Sequence, residues 1–217
     1  MQERKDQNDL TGQEWTDFTE AVKALQDVAA STPNYAAIAK IHTPFHHQRT
    51  AHRLPTFLPW HREYLWTFEQ RLQEINASVT LPYWNWTNQR KLPAPLSSAK
   101  EWGVLRGMGA KDRVGDYSSD VTDAMNKIDY EAFHWALSPA HGNIHMDVGG
   151  QMGEIMRSPE DVIFWLHHAY LDKLWADWQK TNAGAEPDMP ARLLPEAYFM
   201  HTGNQVLKTQ DLGYLYV

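Results

Sequence analysis

The sequence predicts a mainly α fold with long surface loops and little strand, and three observations carry that reading. The run SPEDVIFWLHHAYLDKLWADWQ at 158–179 starts as helices start. Ser158 is a capping hydroxyl, Pro159 takes the first position, and Glu160 and Asp161 sit on the positive end of the dipole. Ile163, Phe164, Leu166, Leu171, Leu174, Trp175 and Trp178 leave it little polar surface, so this helix is expected at the centre of the body. Stretches in the first third of the chain repeat apolar residues at helical spacing, whereas only DLGYLYV at 211–217 looks strand-like.

In chain order, the polar residues 1–10 read as a short N-terminal arm. Thr11 and Glu14 make a capping box ahead of Trp15, Phe18, Val22, Leu25 and Val28, which form one face of a helix over about 13–30. Pro33 and Asn34 open a second helix through Tyr35, Ile38 and Ile41, which Pro44 ends or kinks. Pro59 begins a third, where Leu65, Trp66, Phe68, Leu72 and Ile75 mix with charged residues at helical spacing. LPYWNW at 81–86 is a short extended or turn segment. Residues 87–128, rich in Pro, Gly, Ser and charge, read as long loops over the helical body, and loops of that length are commonly functional. A short helix covers 130–137; Pro139 interrupts it, and a second short helix carries His141 and His145 up to Gly149 and Gly150. The central helix follows.

A chain of 217 residues with 42% hydrophobic composition can bury one sizeable core, so a single domain over 1–217 is expected. The net charge of -7 and the lack of any basic run argue against nucleic acid and against a membrane surface as partners. MQERKDQNDL has no apolar leader segment, and no later stretch nears the about 18 apolar residues of a membrane span, so a soluble chain is expected. Compartment and oligomeric state stay open. The chain has no cysteine, which removes disulfides, thiolate metal sites and a cysteine nucleophile.

Chemistry is concentrated in histidine. The central helix carries His167, His168 and Asp172, whose burial costs free energy unless each finds a partner. A lone histidine there would more often be a hydrogen-bonded core residue; the others shift the balance. His141 and His145 are four apart, so on a helix they project from one face, with His168 as a third nitrogen on the adjacent helix. Upstream, His42 at a helix end, His52 on a loop and His61 in a helix first turn repeat that arithmetic, with His46 and His47 close by. Two sets of three invite a paired-metal site. Ligation by imidazole alone leaves zinc, copper or nickel. Asp172, one turn after His168, is either an acceptor orienting an imidazole or half of a buried pair with Arg or Lys.

HRLPTFLPWHREYLWTFE at 52–69, LPYWNW at 81–86, HGNIH and GGQM within 141–152, SPEDVIFWLHHAYLDKLW at 158–175 and the terminal GYLYV resemble the tyrosinase and catechol oxidase family of coupled dicopper proteins, over roughly residues 10–217. The resemblance implies a four-helix bundle holding a dicopper centre, two copper ions per chain, dioxygen as co-substrate and a small phenolic substrate. By matching positions it gives one copper His42, His52 and His61, and the other His141, His145 and His168. It favours His42 over His46 and His47 because Tyr35 and the helix leading to His42 match the family pattern, whereas the other two lie past Pro44. It leaves His167 beside the centre, places Phe164 over the metal pair, and sets Met146 and Ile155 at the pocket entrance as an apolar rim.

Bacterial members of that family commonly carry Asn just after the first ligand of the second site, and an upstream Glu, proposed together to hold a water that deprotonates monophenols. Here Gly142 stands at the first position, and Asn143 and Glu131 fall beside the matching positions rather than on them. Diphenol oxidation to an o-quinone is therefore the expected activity, ahead of monophenol hydroxylation. The lack of cysteine also excludes the histidine–cysteine thioether of many fungal and plant members. Two alternatives would use the same site: oxidation of o-aminophenols, and reversible oxygen carriage as in molluscan haemocyanins.

Overall fold

The computed structural model describes residues 1–29, 33–43, 55–108, 112–189 and 199–217. Four helices of 16 to 19 residues build its body: α1 (Gly12–Asp27), α3 (Phe57–Ile75), α5 (Tyr130–Val148) and α6 (Ile163–Thr181). Among the described residues there are also two shorter helices, α2 (Tyr35–Lys40) and α4 (Ser118–Met125), several 3-10 turns, and two short strands, β1 (Gln2–Arg4) and β2 (Tyr214–Tyr216). The architecture is the expected one: mainly helical, with long connections and little strand.

Helix α6 is the axis. Every residue from Ile163 to Asp172 is buried, and α3 packs along it with Phe68 stacked on Trp165 at 3.9 Å between ring centroids. Helix α5 meets it through Phe133, stacked on Trp178 at 4.9 Å. The 81–86 segment is pinned to α6 by the Trp84 amide donating to the Leu166 carbonyl at 3.1 Å, and Trp84 and Trp86 are fully enclosed. Trp60, Trp84, Trp86, Trp165, Trp175 and Trp178 are among the largest fully buried side chains, each removing a large apolar area from water.

Local chemistry explains where most helices start. The Thr11 hydroxyl accepts from the Glu14 amide, and the Glu14 carboxylate accepts from the Thr11 amide at 2.8 Å, so two orphan donors of α1 are satisfied. Asn34 caps α2 by accepting from the Ala37 amide at 3.0 Å. Helix α3 begins at Phe57, two residues before Pro59. A first-turn amide has no partner within its helix, so a proline there loses nothing.

Four expectations are corrected. The start assigned to Ser158 is a 3-10 turn over Ser158–Glu160, where the Ser158 hydroxyl donates to the Ile155 carbonyl instead of capping. Asp161 takes the role further on: its Oδ1 accepts from the Ile163 amide at 3.0 Å, while Arg106 grips the carboxylate with two bonds of 2.7 Å. Second, α5 runs unbroken through Pro139. The carbonyl deprived of a donor belongs to Trp135, whose side chain is 45% exposed, so water can reach that part of the helix. Third, the stretch read as loop contains α4, which buries only Ala124 fully and so lacks a legible apolar stripe.

The fourth correction concerns the N-terminal arm. Residues 2–4 pair in parallel with the C-terminal strand, Gln2 opposite Tyr214 and Arg4 opposite Tyr216. Arg4 is fully buried because Glu69 neutralises it at 2.7 Å and the Tyr214 ring lies under its guanidinium at 3.5 Å.

Candidate metal centre

Helices α3, α5 and α6, with the chain just past α2, bring histidine rings to one place. His61 lies in the second turn of α3 and His168 in the second turn of α6. Each turns its Nδ1 back to the carbonyl four residues earlier, to Phe57 at 2.9 Å and to Phe164 at 3.0 Å. His145, near the end of α5, makes the same kind of bond to the Met152 carbonyl at 2.8 Å. A carbonyl only accepts, so Nδ1 carries the hydrogen in all three rings, and the Nε2 lone pair is the one presented for ligation.

The rings form two adjoining groups. His61 stacks on His168 with centroids 4.5 Å apart, and His42 lies 5.6 Å from His61. His141 and His145 are 4.8 Å apart, and each is 5.2 Å from His168. Phe164 lies among them, 3.9 Å from His168, 5.3 Å from His42 and 6.0 Å from His145. Phe57, which sequence reasoning passed over, bridges the groups at 4.4 Å from His61 and 4.8 Å from His141. His52, His46 and His47 lie outside the described residues.

The donor set suits a borderline or soft metal held by nitrogen. His141, His145, His167 and His168 each bring a ring nitrogen within 4.8 Å of the others, and no carboxylate belongs to that group among the described residues. His168 is 1% exposed, and its Nε2 has no hydrogen-bond partner among the described residues. An unsatisfied buried nitrogen costs roughly 1–3 kcal/mol, which a bound metal would offset. Burial, then the neighbouring His61, His167, His141 and His145, hold the His168 imidazole well below its ordinary pKa. Burial brings His145 down to about 4, partly opposed by its bond to Met152. These rings are neutral at pH 7, the form in which imidazole binds a metal.

The other expected site residues divide sharply. The hydrogen bonds Asp172 makes among the described residues go to an arginine and two tyrosines. Its Oδ1 accepts from the Arg62 Nε at 2.5 Å, and its Oδ2 accepts from the hydroxyls of Tyr214 at 2.6 Å and Tyr216 at 2.7 Å. It is the buried-pair alternative that holds, because Arg62 follows His61 on α3 and faces α6 at this level. The pair cross-links the two helices that carry His61 and His168. Gly142 leaves open space: nothing lies within 4 Å of where its Cβ would be. Asn143 is exposed, Met146 is 68% exposed and Ile155 is 47% exposed, and His141 and His145 are themselves only partly buried.

His167 is fully buried beside the group, and its Nδ1 accepts from the Trp86 indole N–H at 3.1 Å. Trp86 was visible in the sequence as part of LPYWNW, but its partner is 81 residues away and carries no local signal. The Met152 carbonyl was equally hidden. It is placed by the Gly149–Gly150 turn, where Gly150 has φ +56 and a Cβ would sit 1.8 Å from the Leu105 carbonyl oxygen.

Comparison with known proteins agrees with this geometry. Residues 32–106 and 108–181 match the family model described as the common central domain of tyrosinase. The chain is 33% identical to a tyrosinase of Streptomyces glaucescens, with 85% of each covered. In structure it resembles a functional unit of octopus haemocyanin at a TM-score of 0.82 and 24% identity, covering 100% of this chain and 68% of that one. It also resembles a latent aurone synthase, a polyphenol oxidase, at 0.81 and 18% identity, covering 100% and 57%. At such identities the two structural likenesses speak for the fold.

Proposed function

Because this chain belongs to the tyrosinase family of coupled dicopper oxidoreductases, we propose that it oxidises o-diphenols with dioxygen to o-quinones and water, with monophenol hydroxylation as its weaker activity. His42, His52 and His61 would hold one copper, and His141, His145 and His168 the other; His52 lies outside the described residues. When bound, a copper pair supplies one-electron redox chemistry two steps at a time. Over a full cycle two catechols give up four electrons and four protons, and one dioxygen takes them up as two waters.

The chain's own residues prepare that chemistry. The carbonyls of Phe57, Phe164 and Met152 hold the Nδ1 hydrogens, which fixes each ring's orientation and leaves Nε2 as donor. Burial keeps His145 and His168 neutral, so no proton has to be displaced from these two near pH 7. Phe164 covers the face of His168 and keeps water from it. Next to His141, Gly142 leaves room for a planar ring to approach but offers no side chain to hold a water as base. A catechol is the more acidic phenol and needs that help less, which is why the diphenol is the better substrate.

The observation that carries this reading is the buried His168 Nε2, without a hydrogen-bond partner among the described residues and surrounded by imidazoles. Turnover of tyrosine beside its dihydroxy counterpart by copper-loaded protein tests it. Faster quinone formation from the diphenol is expected; equal or faster turnover of tyrosine overturns the substrate order. The fold shared with octopus haemocyanin supports a second reading, an oxygen carrier. Reversible oxygen uptake with no quinone would favour the carrier.

A further inference from the structure

Four imidazoles crowd the second half of the centre, where the proposed assignment uses three. The His167 ring centroid lies 5.5 Å from His141, 5.0 Å from His145 and 4.9 Å from His168. Distance therefore does not separate His167 from the ligands. Its hydrogen bond does. His145 and His168 meet a carbonyl at Nδ1, whereas His167 meets the Trp86 indole N–H there, at 3.1 Å. An indole N–H can only donate. The Nδ1 lone pair of His167 is thus occupied, and the hydrogen of the neutral ring resides on Nε2. The His167 Nε2, like that of His168, is buried with no hydrogen-bond partner among the described residues, but in this tautomer it carries the hydrogen and offers no lone pair to a metal.

Both residues are fully buried, so no water competes for the bond. Trp86 is itself fixed. Its amide donates to the Trp84 carbonyl at 2.9 Å, Trp84 donates to Leu166 on α6 next to His167, and Tyr170 packs edge-on against the indole at 5.0 Å. We propose that Trp86 is a positioning residue that keeps His167 out of coordination, so that three imidazoles rather than four are available to the second metal and a position stays open for substrate. This rests on the copper assignment given under Proposed function.

The test reads nitrogen ligands directly. In a His61→Ala background the first site is removed, and the remaining copper(II), no longer coupled to a second, is visible to pulsed EPR. Three imidazole nitrogens are expected there. Adding Trp86→Phe should raise the count to four and slow copper loss to a competing chelator by roughly tenfold, the lower end of what partners of metal-binding imidazoles are worth. Adding His167→Phe as well should return both values. A count of three in the Trp86→Phe protein, or of four with Trp86 intact, overturns the proposal. His167→Phe with Trp86 intact keeps the test decisive if Trp86→Phe does not fold: three nitrogens support the proposal, and two would show His167 to be a ligand. Failure of the underlying copper assignment looks different, since the His61→Ala protein would then bind no copper at all.

Discussion

His61 and His168 stack with their ring centroids 4.5 Å apart and their planes at 14°, although they belong to different helices. Each bonds through Nδ1 to its own helix one turn back, so the pair is held from outside the centre. The Nε2 atoms of both rings are buried, and the surrounding fold holds them in place.

Gly150→Ala should disconnect His145. A methyl group there meets the Leu105 carbonyl oxygen at 1.8 Å on a backbone with φ +56, so the 149–152 turn must move and the Met152 carbonyl with it. Copper affinity is expected to fall roughly 10–100-fold, the usual effect of losing a partner to a ligating imidazole. Competition with a chelator measures it.

Asp172→Ala should act on stability first. It leaves Arg62 buried without its carboxylate and takes the acceptor from Tyr214 and Tyr216. Breaking a buried pair by removing one partner costs about 3–5 kcal/mol. Urea unfolding of the metal-free protein should show a loss of that size.

Acid should destabilise the metal-free protein well before its carboxylates titrate. His134, 3% exposed, has its pKa lowered by burial to about 4, whereas an unfolded histidine takes up its proton near pH 6.5. Between those values the unfolded chain binds more protons, so stability is full above the unfolded value and falls as pH drops toward about 4. Unfolding free energies at pH 7 and pH 5 should show the loss, and His134→Phe should make it shallower.

Gly142→Asn should raise the ratio of monophenol to diphenol activity. The open space beside Gly142 accepts the amide without a clash, and a helical position loses nothing by the exchange. An unchanged ratio, measured with tyrosine and its dihydroxy counterpart, would remove the water-holding explanation for this chain.

How much of this was legible in the sequence follows from the range of each interaction. The Thr11–Glu14 capping box, the Asn34 cap and the His141–His145 spacing act within one helical turn, and all three could be read directly. Asp172 could not be resolved, because its partners Arg62, Tyr214 and Tyr216 lie 110, 42 and 44 residues away. Likewise, the first residues looked like an arm because the strand they pair with closes the chain. Pro139 misled for a different reason: the cost of an interior proline is local, and here the packing of the rest of α5 outweighs it while the orphaned Trp135 carbonyl lies on an exposed part of the helix. The bond from Trp86 to His167 had no signal beyond two residue types that often donate and accept.

Copper counted per chain, after loading and removal of loosely held metal, tests the centre most directly. Two per native chain are expected, and one in His145→Ala with the helical far-ultraviolet signal kept. A native chain that saturates at a single copper, or a His145→Ala chain that still holds two, contradicts the assignment.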